Sequence, residues 1–234
     1  MAEERRALAI CAHDDDEVIG AGGTIRALAN RAVRVTTMVL ATGNEGYTRI
    51  EERDTIVDRR RRERNAAQRI LGTASCIACD HRDFENLDSE AVYHEIFRAV
   101  RSARPHIVFT HLPGDYMAHR TLGRVAPEAV RQAGGFCAME LGEPWKVEAL
   151  YQFSILELIG EPSHLVDITD TFEAKREAMR AYESQHSVVA GILERIEGRA
   201  IAYGSLIGVK YAEAFVRSPH LPVSVGDPIR LFGG

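Results

Sequence analysis

The sequence predicts an α/β fold in which a mostly parallel sheet is covered by helices on both faces. Three observations carry this. Residues 7–12 form a short, nearly continuous apolar run, as expected of a parallel strand buried on both sides. Residues 17–29 then place apolar side chains at Val18, Ile19, Ile25, Leu28 and Ala29, at helical spacing. Residues 34–41 form a second strand, ended by Thr42-Gly43-Asn44-Glu45-Gly46. Strand, helix and strand in about 35 residues make a βαβ unit, which is right-handed in nearly all cases.

The alternation continues. Residues 47–71 read as a charged helix stopped by Gly72. Residues 75–78 read as a third strand, and 89–103 as a helix with an apolar stripe of Ala91, Ile96, Phe97 and Val100. Pro105 ends that helix, and His106-Ile107-Val108-Phe109-Thr110 is a fourth strand. After a loop, a helix is expected over 119–133. To this point the pattern is Rossmann-like. The remaining chain is irregular: strands at 147–157, 165–168 and 209–216, helices at 171–184 and 186–203, and a tail punctuated by Pro and Gly. With no repeat, low-complexity segment or linker, residues 1–234 read as one domain.

The chain has 234 residues, 45% hydrophobic and 27% charged, with a net charge of -5. That is ordinary globular composition. The acidic balance gives no nucleic-acid footprint, because the one basic run, Arg59 to Arg62, is broken by Glu63. No apolar run reaches the roughly 18 residues that a membrane span needs. Residues 1–6 carry no signal-peptide core, so a cytoplasmic location is the expectation. Cys11, Cys76, Cys79 and Cys137 are too sparse for a disulfide scaffold. Cys76 and Cys79 have C-x-x-C spacing but lie in a strand-like run, where residues three apart face opposite ways. They read as small buried hydrophobes.

Function is concentrated in Ala12-His13-Asp14-Asp15-Asp16-Glu17. Four acids and an imidazole cannot crowd the edge of a sheet at low cost without a cation, since each carboxylate would otherwise be driven to hold a proton. Ligands of doubly wound sheets sit beyond the carboxyl ends of the strands. The first strand delivers His13, Asp15 and Asp16 to that edge, and the fourth delivers His111, Asp115, Tyr116 and His119. His13 and Asp16 are three residues apart, so one turn can aim both at a point that His119 completes. Three N/O ligands with an open position suit a catalytic zinc. Asp15, beside a ligand but not needed as one, can take a proton from water activated there and return it to a leaving amine. Asp14 reads as a solvated loop acid, with a position facing the substrate as the alternative. His111 is either a group behind a metal ligand, a substrate contact or a packed core residue. Glu17 is left at a helix start, where the macrodipole favours an acid. The glycines at 20, 22 and 23 resemble a dinucleotide loop only weakly, because the acids precede them where a pyrophosphate would need bare N–H groups.

Ala12-His13-Asp14-Asp15-Asp16-Glu17 resembles the A-H-P-D-D-E signature of the PIG-L/LmbE-like family of zinc-dependent N-deacetylases. Five further stretches resemble that family in order. They are the glycine-rich helix start at 20–25, Arg60-Arg61-Arg62-Glu63 with Ala66-Ala67 and Leu71-Gly72, Asp115 to Arg120, Lys175 to Gln185, and, as a fifth, Tyr211-Ala212-Glu213-Ala214-Phe215. The resemblance implies a Zn2+ cofactor held by His13, Asp16 and His119, and Asp15 as acid and base. It implies removal of an acyl group, usually acetyl, from an N-acetylglucosamine unit of a larger conjugate. It implies a substrate-contacting arginine at Arg60, and a homo-oligomer. The chain departs from the family pattern at four positions: Asp14 replaces Pro, Ala118 replaces Asp, and Tyr116 and Tyr182 each replace a His. Tyr116 could still donate to an oxyanion, and His186 lies beside the second replaced histidine. Two other readings stand beside this one: a metal-binding paralogue that binds ligand without hydrolysis, and a nucleotide-binding protein.

Overall fold

The computed structural model describes residues 4–222. Residues 1–3 and most of the Pro- and Gly-punctuated tail lie outside that range. The strands are β1 (Arg6–Cys11), β2 (Arg34–Ala41), β3 (Ser75–His81), β4 (Ile107–His111), β5 (Ala149–Phe153), β6 (His164–Asp167) and β7 (Ala212–Arg217). The helices are α1 (Asp16–Ala29), α2 (Ile56–Leu71), α3 (Glu90–Ala103), α4 (Met117–Gln132), α5 (Phe172–Arg180), α6 (Glu183–Val188) and α7 (Ile192–Ile207). One seven-stranded sheet has the order β3-β2-β1-β4-β5-β7-β6. Neighbours from β3 to β5 pair parallel, and β7 pairs antiparallel with both β5 and β6.

The apolar run of β1 is explained by what covers it. Leu8 and Ile10 pack with α3 and α4 side chains such as Val92, Ile96, Leu122 and Ala126. Ala7, Ala9 and Cys11 face the other way, into a cluster with Ile25, Leu71 and Met179. With core on both faces, strand alternation is invisible in the sequence.

Five expectations need correction. The strand expected over 147–157 is only Ala149–Phe153. Residues 47–55 are not helical except for a short 3-10 turn at Ile50–Glu52, and α2 begins only at Ile56. The expected helix over 171–184 ends at Arg180, and the one over 186–203 is divided into α6 and α7 around the left-handed Gly191 (φ 68°). The third strand is longer than 75–78 and reaches His81. Cys76 and Cys79 both lie within it, half-buried, and all four thiols are free.

The α1 glycines serve packing. A Cβ on Gly20 would lie 2.2 Å from the Phe153 ring, and one on Gly23 would lie 2.7 Å from Ile168. Helix α1 is also bound from outside. The buried Glu213 carboxylate of β7 accepts from the Gly23 and Thr24 amides at 2.9 and 2.8 Å. The Lys175 ammonium of α5 donates to Glu213 at 2.6 Å and to the Ile19 carbonyl at 2.9 Å. The stretches Lys175 to Gln185 and Tyr211 to Phe215 thus meet on α1 through Lys175 and Glu213.

Candidate metal centre and cavity

The chain steps outward from β1 to β2 and β3 and then crosses back to β4 on the other side of β1. The crevice at this reversal is where open α/β sheets bind ligands. His13 to Asp16 leave β1 there, and His111 ends β4. His119 lies in the first turn of α4.

His13, Asp16 and His119 offer ligand atoms within 4.8 Å of one another. His13 Nδ1 lies 3.1 Å from His119 Nε2. Asp16 Oδ1 is 3.2 Å from His119 Nε2, and Asp16 Oδ2 is 3.7 Å from His13 Nδ1. Metal bonds of about 2.0–2.1 Å at tetrahedral angles set donors about 3.3 Å apart, so the cluster is already at ligand spacing. Charge leads to the same conclusion. Burial alone would lower His119, but Asp16 and Asp115 outweigh it and hold the imidazole protonated up to about 10. Two buried carboxylates, Asp16 and Asp115, face His119, negative charge that a bound cation would balance. The residues therefore fit a divalent metal with two imidazole nitrogens and a carboxylate.

The turn is fixed locally. Asp16 Oδ2 accepts from the His13 amide at 2.7 Å. Asp15 caps α1 in a left-handed conformation (φ 93°), and its carbonyl accepts from the Val18 and Ile19 amides at 2.9 and 3.0 Å. Its side chain makes no cap bond and lines the cavity. Burial raises the Asp15 carboxyl to about 7, aided by Asp16 and Asp14 and opposed by Arg60, whose guanidinium lies 3.8 Å away. Tyr116 stands edge-on to His119, ring centres 4.7 Å apart. Burial, then Asp16 and Asp15, push its phenol up to about 12, so its O–H stays available as a donor.

Two expected substrate contacts are corrected. Asp14 is not solvated and does not line the cavity. It is buried, with Oδ1 2.9 Å from the Arg64 guanidinium, while Arg60 donates to its carbonyl at 2.6 Å. His111 is fully buried and lies behind the ligands rather than before them. Its Nε2 accepts from the Ala12 amide at 3.1 Å and lies 3.2 Å from Asp16 Oδ2, and its ring stacks on His119 at 4.5 Å. Arg60 is buried along the cavity lining, whereas Arg61 and Arg62 are exposed. His186 meets the Met179 carbonyl and is not part of the lining. Glu17 sits in the first turn of α1 but is wholly buried, accepting from the Tyr182 hydroxyl at 3.1 Å. Burial, then Asp14, raises its carboxyl to about 8.

Sequence reasoning missed two carboxylates. Asp83 follows β3 and accepts from the Gly43 and Glu45 amides, with Oδ1 3.9 Å from His13 Nε2. Asp115, to which no role was given, lies 3.7 Å from His119 Nδ1 and is pinned by the Ile155 amide at 2.8 Å. It takes the place behind His119 that Ala118 cannot fill. Both follow the carboxyl ends of strands, which is the signal that could have found them.

Residues 8–130 match the family described as PIG-L: GlcNAc-PI de-N-acetylase. The chain is 32% identical over 224 residues to the diacetylchitobiose deacetylase of Thermococcus kodakarensis, covering 89% of this chain and 81% of that protein. It is 29% identical over 242 residues to the 1D-myo-inositol 2-acetamido-2-deoxy-alpha-D-glucopyranoside deacetylase of Rhodococcus jostii, covering 79% and 83%. Among solved structures, the N,N'-diacetylchitobiose deacetylase of Pyrococcus horikoshii superposes with a TM-score of 0.85 at 27% identity, covering 98% of this chain and 89% of that one. A 4-carboxy-2-hydroxymuconate hydratase from Pseudomonas putida reaches 0.78 at 24% identity, covering 95% and 99%, a likeness of fold alone. The fold and the cleft at its strand reversal define an α/β protein of the LmbE-like deacetylase class. The chain belongs to the PIG-L family of N-deacetylases.

Proposed function

We propose that this chain is a zinc-dependent hydrolase that removes the acetyl group from an N-acetylglucosamine-type conjugate. The observation that carries the reading is the convergence of His13 Nδ1, Asp16 and His119 Nε2 at metal-ligand spacing in the lining of a cavity that Asp15 also lines. The ion, when bound, supplies Lewis acidity that polarises a carbonyl and makes a water acidic near neutral pH. The chain's own residues do the rest. Asp15, raised toward neutrality, accepts the proton of the attacking water and passes it to the amine nitrogen as the C–N bond breaks. Tyr116 donates its O–H to the oxygen that gains charge. Arg60 holds the Asp14 carbonyl, and so the turn that carries Asp15. Asp115 lies behind His119 and Asp83 beside His13, at 3.7 and 3.9 Å, where each charge favours the imidazole N–H directed toward it. We further read residues 1–234 as one domain that acts as a homo-oligomer.

Because a hydratase shares the fold, the test must read the bond that breaks. Metal-replete protein is given N,N'-diacetylchitobiose and N-acetylglucosaminyl-inositol, and free amine and acetate are measured together with bound metal. Asp15→Asn should lower turnover by about 10²- to 10⁴-fold with metal content unchanged. Amine release at the wild-type rate would remove Asp15 from its role. No release from any conjugate by metal-loaded protein would favour the non-hydrolytic reading.

A further inference from the structure

The cavity above the metal cluster measures about 620 Å³, within the range of sites that take drug-sized ligands. Its lining mixes two chemistries. Arg60, Asp83, Glu45 and Gln185 from the loops after β2 and β3 and from α2 and α6 are polar, and α7 adds Glu194, Arg195 and Arg199. Apolar side chains are interleaved with them. Twelve large hydrophobic side chains are exposed among the described residues, and six of them line this one cavity: Phe84, Tyr116, Met117, Leu156, Leu158 and Val188. Behind them the buried Ile192 and Ile196 of α7 continue the wall. An apolar patch gathered in a concave site marks a ligand surface more than chance exposure does.

Backbone conformation supplies an independent observation. Phe84 and Met117 are both held in the left-handed region, at φ 68° and 35°. Phe84 is also 74% exposed. A bulky side chain is disfavoured there, and exposure returns nothing to the free protein. Strain of this kind gathers at functional sites, and here it presents two apolar side chains beside the metal ligands.

Resting on the deacetylase reading, the geometry points to a substrate that is amphipathic: an N-acylated aminosugar carrying an alkyl or aryl group of several carbons. The sugar engages the polar lining groups, and the apolar group packs on Phe84, Met117, Leu156, Leu158 and Val188. The same chemistry could sit at the glycosidic carbon or in a long N-acyl chain, and two substrate series separate them. One runs from the methyl to the octyl glycoside of N-acetylglucosamine; the other runs from N-acetyl- to N-octanoylglucosamine. KM and kcat for amine release are measured with metal-replete enzyme below micelle-forming concentrations. Dissociation constants are measured by calorimetry on the Asp15→Asn protein.

The expected result is a fall in KM and in the dissociation constant of about two- to fourfold per methylene in at least one series. Phe84→Gly relieves the left-handed backbone, so it should fold at least as well as the parent while flattening this dependence. The Leu156→Asn/Leu158→Asn pair should flatten it further. A flat series on an enzyme that deacetylates the methyl glycoside would overturn the apolar site and leave the deacetylase reading standing. A length dependence in binding with no amine released would do the reverse. A dependence unchanged in both variants would overturn the wall assigned here.

Discussion

At the scale of single residues, Asp14 shows how far a side chain's meaning depends on a distant partner. It is buried against Arg64, fifty positions further on, with the two charges 2.9 Å apart. Burial raises the Asp14 carboxyl, and Arg64 and Arg60 pull it back down. Removing one member of such a pair strands the other charge in a poorly solvated place. Asp14→Ala should therefore cost about 3 kcal/mol or more in stability, read from the denaturant midpoint at constant slope. A loss below about 1 kcal/mol would mean that the guanidinium escapes to water. The contrast with His13 and Asp16 explains what could be read in advance. Their relation is local, because one turn fixes it, so it is legible in six letters of sequence. Which way Asp14 points depends on where α2 packs, and no pattern within the motif encodes that. Asp83 escaped notice for the same reason, since its imidazole partner lies seventy residues before it.

At the scale of elements, β3 and its junction with α3 make a pH-dependent joint. The strand runs on to His81, which pairs with Ala41. The His81 ring sits between Glu85 at 3.0 Å and Glu95, on α3, at 2.8 Å. Burial works against the charged imidazole, but the two carboxylates outweigh it and raise His81 above its usual range. The sign follows from linkage. A group whose pKa is raised by folding stabilises the folded state fully below its unfolded pKa, near 6.5, and the contribution is lost as pH rises through the folded value. The stability difference between wild type and His81→Gln should thus be larger at about pH 6 than at about pH 9. Solvent screening limits it to roughly 1 kcal/mol. Urea midpoints at the two pH values check this, and a difference that grew with pH would refute the pairing. Strands β1, β2 and β4 were legible because each is an apolar run closed by turn residues. The division of the long C-terminal helix was not, because Gly191 follows a run whose helical spacing looks continuous on both sides.

At the scale of the whole molecule, two apolar clusters on opposite faces share β1 as their common wall. Neither can lose its packing without exposing the other. If the chain is one domain, heating should produce one transition by every probe, and two separable transitions would contradict that reading. The three proposed metal ligands come from both sides of the β1–β4 crevice, so a bound ion would tie them together. Chelation should lower the melting temperature without splitting the transition. Saturation a hundredfold above the dissociation constant is worth about 2.7 kcal/mol, or roughly 5–10 °C for a chain of this size. No shift on removing a stoichiometric metal would place the ion away from the folded cluster. The polar lining of the cavity was partly legible, through Arg60 and the motif at 13–16. The apolar lining was not. Leu156 and Leu158 lie in a loop where a strand was expected, Val188 lies at a helix end, and only the folded chain brings them into one cavity with His119.

The Lys175–Glu213 pair that clasps α1 also has a bearing on biosynthesis. His13 and Asp16 leave the ribosome long before Glu213, whose carboxylate bonds the middle of α1 from β7. A nascent chain therefore carries two of the three proposed metal-ligand residues while the helix behind them still lacks its clasp. Only when synthesis has passed residue 213 can the clasp close, and a product truncated before that residue would lack it.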